Sequence, residues 1–340
     1  MSLLQDGKES CLVEDPALKA LEVRFGRLHA RQRLGIEKDH EAQVFGQGLN
    51  FFHIENLTSS HVAIEWILKL SGLYWRGRQN ASQIKTRDNL IVSKELPRAF
   101  DGFTILHLSD LHADESEGAM SRLIDLLPGL AYDVCVLTGD FRGKTFGPFE
   151  PALARLEQLR VALRGPSYAV LGNHDTLRMA LSFEDMGIRV LLNESQAIER
   201  GDERIHLVGV DDAHFYRADN LEKAVTDVPY DEFSILLSHT PEIYRQAAHC
   251  DFNVMLAGHT HGGQICLPGG IPITLDSTLP RSMGSGRWIY GKMDGYTSVG
   301  AGSSLVPVRF NCPPEITLHR FEVGAATADS VRTISQPEPK

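Results

Sequence analysis

TILHLSDLHA, residues 104–113, is a short apolar run that stops at a carboxylate and an imidazole two residues apart, Asp110 and His112. Alternate side chains of a strand point the same way, so just past a strand end both can turn toward one cation. The tripeptide alone reads more readily as a polar loop start. Its weight comes from repetition, because an apolar strand emptying into metal-competent residues recurs four more times. YDVCVL at 132–137 runs into Thr138-Gly139-Asp140, and SYAVL at 167–171 into Gly172-Asn173-His174-Asp175. The strand at 233–237 ends at Ser238-His239, and that at 252–256 at Ala257-Gly258-His259-Thr260-His261. Helices over 119–130 and 151–164 separate the first three strands. Such alternation implies parallel pairing, with a site at the carboxyl ends of the strands. The residue pattern by itself gives an α/β fold.

Upstream, Pro16 to Arg33 carries Leu18, Leu21, Phe25 and Leu28 at the spacing of one amphipathic helix. Leu57 to Trp75 is the most apolar stretch outside the strands, yet Glu65 and Lys69 interrupt it, and it is too short and too charged to cross a bilayer. It reads either as a helix docked on the main domain or as one lying on a membrane surface, with Trp66, Tyr74 and Trp75 as anchors. Arg76, Arg78, Lys85 and Arg87 follow it closely. A strand is expected over 84–92, and Asp101-Gly102 turns the chain into the main domain.

Downstream, 177–201 reads as a helix and a short strand pair, and 204–210 as a strand running into Asp211-Asp212, two aspartates taken as structural. The Gly-, Pro- and Ser-rich stretch 268–287 is expected to rim the cleft, and 296–304 returns to strand. Beyond Val323 the composition lacks a core and reads as a disordered tail. The organisation is therefore an N-terminal helical extension over 1–95, a main domain over 96–323 and a tail over 324–340.

The whole chain bounds what such a site can serve. Its 340 residues are 42% hydrophobic and 23% charged, an ordinary globular composition with enough apolar surface for a large core. A formal net charge of −10 argues against a nucleic-acid partner, which calls for a basic field. Cys11, Cys135, Cys250, Cys266 and Cys312 are scattered, odd in number and without CxxC spacing, so neither a disulfide framework nor a thiolate zinc site is suggested. A reducing compartment, the cytoplasm, fits them. No leader and no apolar run of about 18 residues is read in the chain.

Seven oxygen or nitrogen donors, Asp110, His112, Asp140, Asn173, His239, His259 and His261, each follow a predicted strand. Carboxylate with imidazole suits manganese, iron or zinc, and the absence of thiolates argues against a structural zinc. Seven donors are too many for one ion. Two divalent cations bridged by one carboxylate would use them all.

At these residues the chain resembles the calcineurin-like metallophosphoesterase superfamily. The blocks stand here as SDLH at 109–112, GD at 139–140, GNHD at 172–175, SHTPE at 238–242 and GHTHGGQI at 258–265, all in order. The last block is similar to a bacterial branch that includes membrane-associated phosphodiesterases and UDP-2,3-diacylglucosamine pyrophosphatase-like proteins of lipid A synthesis. Members of that branch commonly carry an N-terminal transmembrane helix, which is not read in this chain. The resemblance implies a four-layer αββα sandwich of two mixed sheets over about 102–320. It assigns Asp110, His112 and His261 to one metal, Asn173, His239 and His259 to the other, and Asp140 to both. Manganese is the cation expected first, with iron or zinc as alternatives. A water activated between the metals would attack a phosphodiester, pyrophosphate or phosphomonoester in line. His174 is expected to serve the leaving oxygen, with Asp175 orienting its imidazole. Arg142 and Lys144 read either as phosphate-reaching residues or as solvated loop charges. The expected partner is a small or lipid-linked phosphate ester met in the cytoplasm, with peripheral contact on the inner face of the membrane and no protein partner. The alternatives are a non-catalytic metal-binding interaction protein on the same fold and a nuclease.

Overall fold

Short β-branched and leucine-rich runs bounded by glycine and aspartate form two six-stranded mixed sheets laid face to face. A computed structural model describes residues 15–46, 58–304 and 306–324, without the side chains of 43–46 and 58–63. The first sheet contains β1 (Lys85–Ser93), β2 (Thr104–Leu108), β3 (Val134–Thr138), β4 (Ser167–Val170), β5 (Ile188–Val190) and β14 (Glu315–Val323), in the order β1-β14-β2-β3-β4-β5. The second contains β6 (Glu194–Arg200), β7 (Glu203–Gly209), β8 (Ser234–Leu237), β9 (Val254–Ala257), β12 (Gly286–Tyr290) and β13 (Met293–Thr297), in the order β12-β13-β9-β8-β7-β6. Strands β2 to β5 run parallel, as do β7, β8, β9 and β13. Antiparallel pairs join β14 to β2, β6 to β7 and β12 to β13. A two-residue hairpin, β10 (Cys266–Leu267) with β11 (Ile271–Pro272), stands apart.

The period of two along each strand builds both cores. Ile105, Val134, Val136 and Val170 of the first sheet meet Ile205, Leu207, Ile235, Leu237, Val254 and Leu256 of the second between the sheets. The alternate residues, Leu106, Leu108, Cys135, Leu137 and Ala169, face outward onto α5 (Glu117–Leu126), α6 (Glu150–Ala162), α7 (Met179–Asp185) and α1 (Pro16–Phe25). On the far side Val208, Leu236 and Met255 pack against α8 (Leu221–Ala224) and α9 (Tyr244–His249). The result is the four-layer αββα sandwich with N-terminal helices.

Several elements differ from the sequence reading. The single helix over 16–33 is two, α1 and α2 (Arg27–Gly46), because Gly26 takes φ +89° and breaks the ladder. Leu28, placed on its apolar stripe, is 82% exposed, whereas Arg33 on α2 is fully buried. The apolar stretch 57–75 likewise splits into α3 (Thr58–Leu70) and α4 (Tyr74–Ala81) across Gly72 at φ +73°. The strand expected over 84–92 is β1; it pairs in parallel with β14 along its whole length, so the first sheet reaches into the segment read as an N-terminal helical extension. The strand pair within 177–201 is no pair, since β5 edges one sheet and β6 the other. The strand expected over 296–304 stops at Thr297, the end of β13, and the chain then crosses beneath the first motif, Ala301 and Gly302 donating backbone N–H to Ser109 O and Asp110 O. The tail expected over 324–340 lies, after Gly324, outside the described residues. Among the described residues no helix is long and apolar enough to cross a membrane.

Candidate metal centre

All five motif blocks sit in loops at the carboxyl ends of β2, β3, β4, β8 and β9, so the two sheets deliver them to one rim. Among the described residues ten non-glycine residues have positive φ, and five of them are Asp110 (50°), His112 (39°), Asp140 (56°), His259 (72°) and His261 (49°). Left-handed backbone at non-glycine residues is strained and persists only where the surroundings over-determine it. Here the surroundings are tight: a Cβ at residue 172 would overlap the Asp140 carboxylate, and one at 258 would overlap Ser109 and Asp110. Glycine at those two positions lets the loops close on each other.

The seven donors fall into two adjoining groups. Asp110, His112 and His261 each offer a ligand atom within 4.8 Å of the others, as do Asp140, His239 and His259, and all six residues are buried. In the first group His112 Nε2 lies 3.1 Å from His261 Nε2, and His261 Nε2 lies 3.4 Å from Asp110 Oδ1. In the second His239 Nε2 lies 2.9 Å from Asn173 Oδ1, 3.2 Å from His259 Nδ1 and 3.3 Å from Asp140 Oδ2. The same Asp140 Oδ2 is 3.9 Å from His112 Nε2, which sets it between the groups.

The far nitrogens decide what these atoms can bind. His112 Nδ1 donates to Arg142 O at 2.9 Å and His239 Nδ1 to Thr138 O at 2.7 Å, which turns both Nε2 lone pairs inward. Lone pairs of imidazole, carboxylate and amide oxygen therefore converge, an acceptor set that fits a cation. Protonation behaviour follows the same geometry. Burial raises Asp110 to about 6 and lowers His112 to about 4. Burial also opposes charge on Asp140 and His239, but their mutual attraction overrides it: Asp140 stays well below the usual carboxylate range and His239 rises to about 10.

His174 lies beside this set, its ring centroid 5.0 Å from that of His112 and its Nε2 3.9 Å from Asp140 Oδ2. Its Nδ1 donates to Gly143 O at 2.8 Å. Asp175 does not orient it. The Asp175 carboxylate accepts backbone N–H groups from Asp140, Phe141 and Gly172, each at 2.8 Å, and is consumed in tying the GD and GNHD loops together. Arg142 is equally committed: it is buried and donates to the carbonyls of His174, Gly147 and Thr145. It does not reach for a phosphate.

Other residues support the site from outside the seven donors. The buried guanidinium of Arg309 donates to Gly302 O at 2.6 Å and Val299 O at 2.7 Å and stands 3.2 Å from His261 Nδ1. Arg33 bonds Asp175 O, while its partner Glu37 accepts from Thr176 Oγ1 and Leu177 N, so α2 braces the GNHD loop. Asp211 is structural, as its sequence context suggested, pairing with Arg33 and His29. His214, 4.3 Å from His259 by ring centroids, pairs with Glu242; that acid lies inside the SHTPE block, which was the available hint. The loop 268–287 is tied to the rim through Ser277 and Thr278, which donate to Glu242, and through Thr260, which donates to Gly284 O.

Comparison with known proteins gives this arrangement its class. The family model described as calcineurin-like phosphoesterase matches residues 103–263, and the domain over those residues belongs to that superfamily of metal-dependent phosphoric-ester hydrolases. Among curated relatives, the uncharacterized metallophosphoesterase YkoQ of Bacillus subtilis is 28% identical over 265 residues, 75% of this chain and 97% of that protein. The phosphodiesterase YaeI of Escherichia coli is 28% identical over 64% of this chain and 81% of its own length. A transmembrane protein with metallophosphoesterase domain from Danio rerio is 30% identical over 71% of this chain, which spans 58% of that protein.

Proposed function

We propose that this enzyme is a dinuclear phosphoesterase that hydrolyses a phosphodiester, pyrophosphate or phosphomonoester by direct attack of water, without a covalent enzyme intermediate. The observation that carries the reading is Asp140 Oδ2 lying between two groups of inward-facing imidazoles. Asp110, His112 and His261 would hold one cation, Asn173, His239 and His259 the other, and Asp140 both. Manganese suits this donor set, as do iron and zinc. Bound there, two divalent cations supply positive charge for the phosphoryl oxygens and acidify the attacking water. Because Asn173 is neutral, only two carboxylates offset four cationic charges, and the residual charge draws an anion to a chain whose net charge is −10. Within the protein, His174 Nδ1 is committed to Gly143 O, so Nε2 is the atom at which a proton for the leaving oxygen is held. A pocket lined by Gly262, Pro272, Leu275, Arg281 and Arg287, the last paired with Asp294, adjoins the His261 turn and offers room for the rest of the substrate.

The substrate is read as lipid-linked, met by peripheral contact on the inner, cytoplasmic face of a membrane. Exposed apolar residues support this. On α3, Ile64 and Leu68 pack inward with Tyr74, Val308 and Phe310, while Trp66 and Leu70 are 60% and 82% exposed. Trp75 of α4 and Leu267 and Ile271 of the neighbouring hairpin are exposed too. The relative from Danio rerio, named as a transmembrane protein, adds to this support.

The test is a hydrolysis screen of manganese-loaded protein against aryl phosphomonoesters, phosphodiesters, nucleotide pyrophosphates and their lipid-linked counterparts. Turnover of one class, abolished by chelator and restored by manganese, supports the reading; no turnover of any class overturns it.

A further inference from the structure

One row of hydrogen-bonded polar side chains spans four strands of the first sheet. Asn89 on β1, His319 on β14, His107 on β2 and Thr138 on β3 occupy neighbouring strands, and all are buried. Asn89 Nδ2 lies 2.9 Å from His319 Nδ1, and His319 Nε2 lies 3.1 Å from His107 Nδ1. His107 Nε2 lies 2.8 Å from Thr138 Oγ1, Thr138 Oγ1 lies 2.8 Å from Ser109 Oγ, and Ser109 Oγ lies 2.5 Å from Asp110 Oδ2. Five hydrogen bonds in series thus cross four strands and end on a carboxylate of the candidate metal centre.

The direction of the chain is fixed by counting protons from that carboxylate. An ionised carboxylate only accepts, so the single hydroxyl proton of Ser109 goes to Asp110. Ser109 must then accept from Thr138, whose own proton is thereby used, and Thr138 must accept from His107 Nε2–H. A neutral His107 with its proton on Nε2 accepts at Nδ1 from His319 Nε2–H, and His319 Nδ1 in turn accepts from the Asn89 amide. Burial keeps His107 neutral, pushing it down to about 3. One arrangement satisfies every atom, and it is the arrangement in which each bond polarises the next toward Asp110.

We infer that Asn89, His319, His107, Thr138 and Ser109 are a directional relay that positions Asp110 as a metal ligand. The inference rests on the metal assignment proposed above. The relay's last hydroxyl bonds Oδ2, the His259 backbone N–H lies 3.1 Å from both carboxylate oxygens, and Oδ1 is 3.4 Å from His261 Nε2. His107 and His319 are positioning residues in this scheme, remote from substrate. Two of the five, Asn89 and His319, lie on strands outside the 103–263 segment that the family model matches. The terminal strands would thus be part of the metal site's support as well as of the sheet.

Thr138→Val tests the relay, because it replaces the hydroxyl with a methyl of the same shape and leaves untouched the Thr138 carbonyl that holds His239. The full chain is titrated with Co(II), following the visible absorption of each site and the heat of binding, with far-ultraviolet circular dichroism of the metal-free protein as control. Loss of an outer-shell partner typically weakens a site about 10- to 100-fold. That loss is expected at the first site of Thr138→Val, with an altered absorption band, an unchanged second site, and recovery in Thr138→Ser. Should Thr138→Val not fold, His319→Phe against His319→Gln makes the same comparison, since the glutamine amide can both accept and donate. Wild-type affinity and spectrum in Thr138→Val, or equal affinities in the two His319 variants, overturn the relay. A wild-type chain that takes up no cobalt overturns the metal assignment itself, and the relay with it.

Discussion

His112 and His261 come from loops 149 residues apart, yet their Nε2 atoms face each other at 3.1 Å. Since His112 gives its Nδ1 proton to Arg142 O, its Nε2 presents a lone pair, which a bound cation would take up. Two such groups joined by Asp140 predict two metal ions per chain. Elemental analysis after reloading with manganese should approach that ratio, and Asp140→Asn should lower it. Saturation of the wild type at one ion would remove Asp140 from its bridging place.

His174→Ala is expected to keep both metals and lose most turnover, about 100-fold, on a substrate with a poor leaving group. A substrate with an acidic leaving group should lose much less. Steady-state rates on both substrates, with metal content measured in parallel, separate a proton-holding role from a ligand role. Equal losses on both would contradict proton transfer to the leaving oxygen. Asp175→Asn should behave differently, disturbing the fold around the GD and GNHD loops, because its carboxylate accepts three backbone N–H groups.

Arg33 and Asp211 are both fully buried, the guanidinium also bonding Glu37 and lying 3.4 Å over the Tyr216 ring. Removing one partner of a buried pair leaves an uncompensated charge, so Arg33→Met should cost about 3–5 kcal/mol in urea denaturation. Burial raises the Asp211 carboxyl, but Arg33 and His29 outweigh it and hold it at about 2, below its ordinary 3.8. A depressed carboxyl stabilises fully above its unfolded value and loses that stabilisation as pH falls through its folded one. The stability gap between wild type and Asp211→Asn should therefore be full above about pH 4 and shrink toward pH 2. A gap independent of pH over that window would argue against an ionised pair.

Trp66 and Trp75, 60% and 71% exposed, are the residues on which membrane contact can be tested without touching the centre. Each basic residue near an anionic bilayer contributes about 1 kcal/mol. Arg76, Arg78, Lys85 and Arg87, all exposed, could together hold the protein weakly and reversibly. Sedimentation with phosphatidylglycerol vesicles should show binding that falls with salt and drops in a Trp66→Ala, Trp75→Ala double variant. Activity of that variant on a water-soluble substrate should match wild type. Absence of salt-sensitive binding by the intact chain would end the membrane reading and leave the hydrolase unaffected.

The sequence by itself determined the five strands that precede the motif blocks and where they stop. Continuous apolar runs are buried on both faces of a sheet, and Asp110, Asp140, Asn173, His239 and His259 each follow such a run, so the candidate donors could be read in order. It also determined that residues 57–75 are apolar and aromatic, but not which side faces water. Tertiary structure decided what local pattern cannot encode. Whether β5 pairs with β6 or each edges a separate sheet depends on partners far along the chain, as does the pairing of β1 with β14. Asp175 was read as an orienter of His174 because the two are adjacent. Only the approach of the β3 loop shows that three amides claim its carboxylate, while Gly143 O holds the imidazole. Arg33, Arg309, His107 and His319 look like ordinary surface or core residues in the sequence. Each matters because the fold brings to it, from 30 or more residues away, a partner of the kind a buried polar group requires.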